Sequence, residues 1–258
     1  MKSREPRPEQ MIACLKELHL PTVRECYEQT AVAARRDSVS YERYLHELIE
    51  AERETRRRNR VARMLRLSGL PLEKSLESFD LKRLPTKAAA NFNALVEGSF
   101  VDRAENVLAF GNPGSGKTHL LCALGQELID QGRRVLFRPC SLLVQELLIA
   151  KRDLKLVRLL KRLGKFDALI IDDIGYVQQS REEMEVLFTL LAGSYERTSV
   201  MITSNLPFSK WERIFKDPMT TAAAIDRLVH HSVILELNLP SYRLEHSKKE
   251  KTRKPRKS

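Results

Sequence analysis

Two hydrophobic patterns follow one another along the chain. Near the start, apolar residues fall at 11, 12, 15 and 18, the spacing of one helical face, and Pro21 and Thr22 restart that period up to about Arg36. Ser40 is a suitable N-cap for a third, longer helix, YERYLHELIEAERETRRRNRVARMLRLSG, which Gly69 closes with Pro71 just beyond. From about Phe79 the pattern turns to short apolar runs separated by helical stretches. The runs predict strands at 106–110 (NVLAF), 134–138 (RVLFR), 168–172 (ALIID), 199–203 (SVMIT) and 232–236 (SVILE), with a helix over 86–98 before the first. Strands alternating with helices imply a parallel sheet with crossover helices, and five strands without an internal repeat fit one three-layer αβα domain. The expected organisation is an all-α N-terminal domain over 1–75 that binds DNA or a partner, an α/β domain over 76–246, and a tail over 247–258 too basic and too poor in apolar residues to fold.

Composition narrows the picture. With 258 residues and 42% hydrophobic content the chain can bury an ordinary core. Its apolar runs reach about five residues, against the roughly 20 a membrane helix needs, and its charged start has no signal-peptide core. A cytoplasmic protein without a membrane partner is expected, nucleoid-associated when bound to DNA. Cys14, Cys26, Cys122 and Cys140 lack metal-ligand spacing and read as reduced, buried thiols. The net charge of +11 divides as +4 over 1–75, +1 over 76–242 and +6 over 243–258, so the flanks are basic and the middle is balanced. That distribution suggests a polyanion, usually nucleic acid. In the long helix seven arginines crowd residues 53–66, and Arg56, Arg57, Arg60 and Arg63 are candidate phosphate contacts; a solvated face paired with upstream glutamates is the other reading.

The first predicted strand runs into Gly111, Asn112, Pro113, Gly114, Ser115, Gly116, Lys117, Thr118 and His119, which satisfies G-x-x-x-x-G-K-[ST]. The glycines free backbone N–H groups to curl around phosphate oxygens, Lys117 reaches the β and γ phosphates, and the Thr118 hydroxyl ligates Mg²⁺. The strand ALII ends on two acids. Asp172 is placed to complete the Mg²⁺ shell, and Asp173 to orient or deprotonate an attacking water, which favours ATP hydrolysis; the alternative has Asp173 capping the next turn. Asn205 follows the fourth strand and reaches the phosphates if that strand lies between the other two. Without that placement, Thr203-Ser204-Asn205 before Pro207 is a plain turn signal. Arg227, near a helix end, suits an arginine finger acting in a neighbouring subunit, or an ion pair with Asp226, while His230 and His231 read as structural. Arg243 is a second cation for the nucleotide.

In this order the P-loop, Asp172-Asp173, Asn205, AIDRL and SYR resemble AAA+ ATPases of the DnaC/DnaA branch. YERYLHELIEAERETRRRNRVARMLR, SLESFD, GNPGSGKTHL, LIIDDIGY, SNLPFSKWERIF and AAAIDRLVHHSVILEL, over nearly the whole chain, look like the IstB-type transposition helper ATPases of bacterial insertion sequences. The resemblance implies a P-loop AAA+ core with strand order 5-1-4-3-2, and a homo-oligomer with active sites completed in trans. It implies ATP and Mg²⁺ as cofactors, and double-stranded DNA and a cognate transposase as partners. It also implies Asn205 as sensor 1, Arg227 as arginine finger, Arg243 as a sensor 2-like arginine and Phe79 beside the adenine. Only 22 residues follow Glu236, too few for a three-helix lid, so a lidless core is expected and Arg243 lacks its usual platform.

Independently of any family, Lys151, Lys155, Arg158, Arg162 and Lys165 are spaced 4, 3, 4 and 3, a stripe on one helix suited to a phosphate backbone. No aromatic residues interleave, so backbone contact with little base readout is expected. The leading function is an ATP-hydrolysing helper that oligomerises on and bends target DNA and recruits or stimulates its transposase. A DnaC-like helicase loader and a nucleotide-switched architectural protein are the rivals.

Overall fold

A computed structural model describes residues 8–175, 180–211 and 218–242; Arg243 and the tail over 247–258 lie outside the described residues. The chain forms two compact units, Met1–Arg63 and Met64–Ser258.

The first unit contains α1 (Pro8–Glu17), α2 (Pro21–Arg36) and most of α3 (Tyr41–Ser68). Ser40 caps α3 by accepting from Arg43 N at 3.3 Å, and Gly69 follows its last residue at φ +70°. α2 opens on Pro21 with no side-chain cap of its own, Leu20 preceding it. Glu52, buried on α3, takes that role from 30 residues away, accepting from Thr22 N (2.8 Å) and Val23 N (3.2 Å). Burial pushes the Glu52 carboxyl up, but Arg56 and the two N–H groups together outweigh it and hold the group below its ordinary value. Arg56 donates to Glu52 Oε1 at 2.8 Å and also to the His19 carbonyl, so one ion pair closes the end of α1 and the start of α2.

In the second unit, α4 (Thr86–Val96) and the short α5 (Ser99–Asp102) precede β1 (Asn106–Gly111). Then follow α6 (Lys117–Asp130), β2 (Val135–Pro139), α7 (Cys140–Arg152), α8 (Leu156–Leu163), β3 (Ala168–Asp172), α9 (Arg181–Ser194), β4 (Ser199–Ser204), α10 (Pro218–Val229) and β5 (Ser232–Leu237). All strand pairs are parallel and the order is β2-β3-β4-β1-β5, the order expected from the resemblance. β4 therefore lies between the P-loop strand and the strand of the two acids. The strands' two-residue period divides the core. Leu108, Leu136, Leu169, Ile171, Val200 and Ile202 face a cluster built with α7, α8, α9 and α10, while α6 covers the other side, where Gly125 fits against Ile170. Asn106 ties the base together, accepting from Val200 N (2.9 Å) and donating to Leu228 O (3.1 Å).

Two expectations need correction. The basic stretch over 151–165 is not one helix, because α7 ends at Arg152, Leu154 turns to φ +56° and α8 starts at Leu156. Of the four cysteines, Cys122 and Cys140 are buried but Cys14 is exposed and Cys26 half-exposed; all are free. Burial pushes the Cys122 thiol up to about 12. No helix among the described residues is long and apolar enough to cross a membrane.

Candidate nucleotide site and basic groove

The loop between β1 and α6 takes its shape from its glycines. Gly114 stands at φ +79° with Ser241 so close that a Cβ would come within 2.2 Å of Ser241 Oγ and 3.4 Å of its Cα. Gly116 stands at φ +99°, where a Cβ would meet Phe79 at 3.0 Å. A side chain at either position would be both strained and blocked. α6 then opens on Lys117, whose Nζ donates to Gly111 O (2.8 Å) and Asn112 O (2.9 Å) across the loop, and the helix directs its positive end into the same concavity. Ser115 Oγ is buried there with no hydrogen-bond partner among the described residues, a polar atom shaped to meet a ligand.

Opposite the loop, β3 and β4 present a linked set of polar groups. Thr118 and Asp172 are 54 residues apart and meet at 2.7 Å, Thr118 Oγ1 donating to Asp172 Oδ1. The same oxygen accepts from Thr203 Oγ1 at 2.7 Å, and Thr203 Oγ1 in turn accepts from Asp173 N at 2.7 Å. Strand alternation puts Thr203 and Asp172 on the α6 side of the sheet, and both side chains are therefore beside the P-loop. Asp173 leaves the strand at φ +63°, a conformation aspartate tolerates better than most residues, so its side chain departs from that of Asp172. Although more than a third of Asp173 stays open to solvent, its surroundings push the carboxyl up by burial, the charge of Asp172 adds to this, and Lys117 opposes it. Asn205 follows β4 against Gly175, and its Oδ1 is buried without a hydrogen-bond partner among the described residues. The turn bearing it is fixed by Ser204 Oγ, which donates to Leu206 O and accepts from Leu206 N, and by buried Trp211, which donates to the same carbonyl at 3.1 Å.

A cleft runs outward from the P-loop between Phe79, Asp80, Arg83, His119, Leu239 and Tyr242. Phe79 lies edge-on to His119 with centroids 5.1 Å apart. His119 Nε2 is 3.0 Å from Ser75 O and 3.1 Å from Ser78 Oγ, which anchors the loop that carries Phe79. Arg83 stacks over the Tyr242 ring at 5.0 Å, and Tyr242 N donates to Gly114 O at 3.0 Å. The sequence assigned no role to Thr203, Arg83, Ser241 or Tyr242, although SYR, residues 241–243, was among the motifs that carry the resemblance.

Arg227 does not line this cleft. Its guanidinium sits 5.1 Å from the centroid of Phe188 on α9, half-buried, with Nη1 buried and unpartnered among the described residues. His230 and His231 meet edge to face with centroids 4.2 Å apart, and Tyr195 Oη lies 3.2 Å from His230 Nδ1.

Despite the break between α7 and α8, Lys155, Arg158, Lys161, Arg162 and Lys165 line one groove with Glu146 and Asp153. Arg162 pairs with Glu146, Lys155 lies 3.8 Å from Asp153, and Lys151 is turned to Glu185 at 3.0 Å. Arg158, Lys161 and Lys165 make no ion pair among the described residues. On α3, Arg57 pairs with Glu54 at 3.0 Å, whereas Arg60 and Arg63 are exposed and make no ion pair among the described residues.

A family model described as IstB-like ATP binding protein matches residues 13–250. The chain is similar to an insertion sequence ATP-binding protein of Sinorhizobium fredii, 44% identical over 230 residues, 89% of this chain and 77% of that one. It is 37% identical over 242 residues to the insertion sequence IS21 ATP-binding protein of Pseudomonas aeruginosa, covering 93% of this chain and 90% of that one. Among solved structures, the DnaC helicase loader superimposes with a TM-score of 0.52 at 20% identity, covering 64% of this chain and 97% of that one. AMPPCP-bound DnaA from Aquifex aeolicus does so with a TM-score of 0.55 at 17% identity, covering 73% and 57%. At such identities the likeness concerns the fold, which is that of the AAA+ core.

Proposed function

Because the chain belongs to the IstB-like ATP binding protein family, we propose that it is a Mg²⁺-dependent ATPase that assembles on duplex target DNA, bends it, and recruits or stimulates the transposase of its insertion sequence. The observation that carries the hydrolytic part is the hydrogen-bonded chain from Thr118 through Asp172 and Thr203 to the backbone of Asp173, beside the P-loop.

In this reading the N–H groups of Gly111 to Thr118 cradle the phosphates of ATP and Lys117 neutralises the β and γ oxygens. Phe79 and His119 border the base. Thr118 and Asp172 supply two hard oxygens already within 2.7 Å of each other, a donor set that fits Mg²⁺. When bound, Mg²⁺ lowers the cost of charge on the γ-phosphate. Asp173 takes a proton from water as the water oxygen bonds to the γ-phosphorus, the bond to the bridging oxygen breaks, and ADP leaves. A carboxyl pushed up from its ordinary value is better matched to that proton transfer than an ordinary aspartate. Asn205 orients the water with its amide, whose oxygen has no hydrogen-bond partner among the described residues.

Arg227 does not line the cleft of its own chain, and its Nη1 has no hydrogen-bond partner among the described residues, which supports a role across a subunit boundary in an oligomer. Arg243 is retained as a nucleotide contact on sequence grounds alone. The groove on α8, together with Arg60 and Arg63, supports phosphate-backbone contact with DNA. Its lysines and arginines, with no aromatic residue interleaved among them, support binding that falls steeply with salt and depends little on sequence.

The deciding experiment compares wild type with Asp173→Asn for ATP-analogue binding, phosphate release and DNA bending. Lost release with retained binding supports Asp173 as base, and unchanged release removes it from that role. Retained bending in the same variant makes ATP binding the assembly signal and hydrolysis the reset. Capture of the transposase encoded beside it, rather than of a replicative helicase, separates the transposition reading from a loader.

A further inference from the structure

The turn between α7 and α8 carries a residue that neither packing nor turn geometry calls for. Lys155 N donates to Ala150 O at 2.7 Å and Leu154 N to Lys151 O at 3.1 Å, the paired closure with which helices end on a left-handed residue. Glycine is the ordinary occupant of that position, because a Cβ is strained there. Here it is leucine, at φ +56° and 94% exposed. Val157, one turn into α8, is 67% exposed beside it. An apolar side chain is thus held rigidly outward in a conformation that disfavours it, and it contributes nothing to the core.

Its surroundings identify what it meets. Residues 151–165 hold seven lysines and arginines against one acid, Asp153. That acid is taken up by Arg152 at 3.3 Å and Lys155 at 3.8 Å, so the groove beside Leu154 presents positive charge, with Arg158, Lys161 and Lys165 making no ion pair among the described residues. A protein surface meeting such a face would need a dense run of acids around an apolar socket. A nucleic-acid duplex offers both at once, phosphates along the backbone and apolar base faces between steps.

We propose that Leu154 is a wedge that enters between base pairs of duplex DNA while the cations of the α7–α8 groove hold the flanking phosphates, unstacking one step and kinking the helix. Wedges of this kind bend DNA by roughly 20–90°. The inference rests on the duplex-DNA reading above and adds the residue that deforms the DNA. Val157 widens the wedge, and the rigid turn prevents the side chain from folding back on the protein.

The test uses the full chain with ATP analogue and a duplex carrying a fluorescence-transfer pair at its ends, or 2-aminopurine at internal steps. At saturating protein, wild type raises the 2-aminopurine signal and shortens the end-to-end distance. Leu154→Ala is expected to lose the unstacking signal and most of the bend, and Leu154→Met to retain both. Arg158→Ala with Lys165→Ala is expected to lower affinity at least about tenfold and to reduce the salt slope by about 2. If Leu154→Ala unstacks and bends like wild type while the double cation variant binds weakly, the wedge is overturned and the DNA reading stands. If wild type does not bind duplex DNA, both fall. If Leu154→Ala instead impairs assembly without DNA, the turn is a contact between copies and the proposal is overturned. Leu154 is so exposed that its truncation leaves the fold intact, which circular dichroism checks.

Discussion

Replacing Thr203 with valine isolates the hydroxyl that joins the two acids. Thr203 is 1% exposed and valine has nearly its shape, so the change adds no cavity and removes two hydrogen bonds of 2.7 Å. Loss of the bond to the charged Asp172 costs about 1.5–3 kcal/mol. The Asp173 N–H left without its acceptor costs about 1–3 kcal/mol, and the lower half applies because water reaches Asp173. The expected loss is about 2.5–5 kcal/mol, or a melting temperature lowered by roughly 5–20 °C for a unit of this size. Urea denaturation followed by circular dichroism measures it. Asp172 keeps its bond from Thr118, so ATP-analogue affinity changes little, whereas Asp173 loses its anchor and turnover falls about 10²-fold, the effect expected of a small displacement of a reacting group. Thr203→Ser restores the hydroxyl and should recover turnover at a cost of about 1 kcal/mol for the missing methyl. A valine variant with stability within about 0.5 kcal/mol of wild type and unchanged turnover would refute the linkage.

The Glu52 carboxyl is held below its ordinary value in the folded chain, so it stabilises the first unit above the unfolded value of 4.5, and that contribution disappears as pH falls through the lowered value. Glu52→Gln should remove this acid-side loss and cost about 1–3 kcal/mol at neutral pH, read from denaturant curves at several pH values; an unchanged pH profile would contradict it. Arg227→Ala should leave ATP-analogue binding intact and suppress turnover, and mixing it with Lys117→Ala subunits should recover some turnover if the arginine acts across subunits; normal turnover returns Arg227 to packing on Phe188. With an aromatic disulfide at neutral pH, Cys14 should react first and Cys26 more slowly, while Cys122 and Cys140 wait for unfolding; four equal rates would contradict the burial.

Most of the sheet was legible because its information is local. Each strand is a short apolar run bounded by turn residues, and the P-loop fixes which strand carries the phosphates. The misread parts depend on distance or on a silent stop. Spacing of 4, 3, 4 and 3 continues unbroken through Asp153 to Lys155, and a leucine at φ +56° gives no glycine to announce the break. Thr203 looked like the start of a turn, but β4 runs one residue further, to Ser204, and pairing with β3 buries the hydroxyl against Asp172. Glu52 acts as the cap of a helix 30 residues earlier, and Tyr242 returns to Gly114 from the far end of the chain. Contacts of that separation leave no periodic trace in the sequence.

The shared hydroxyl also decides which acid can be substituted informatively. Asp172 accepts on one oxygen from both Thr118 and Thr203. In Asp172→Asn the amide must still present its carbonyl there; if it offers the NH₂ instead, both hydroxyls must turn to accept, which alters the hold on Thr203 and on the backbone of Asp173. Lost activity would then report metal ligation and base position together. Asp173 is held through its N–H, which Asp173→Asn leaves in place with the same left-handed preference. That variant changes the proton acceptor while the anchor stays. It follows that a difference between the two variants in DNA bending under saturating ATP measures metal ligation and positioning together, and what they share measures hydrolysis.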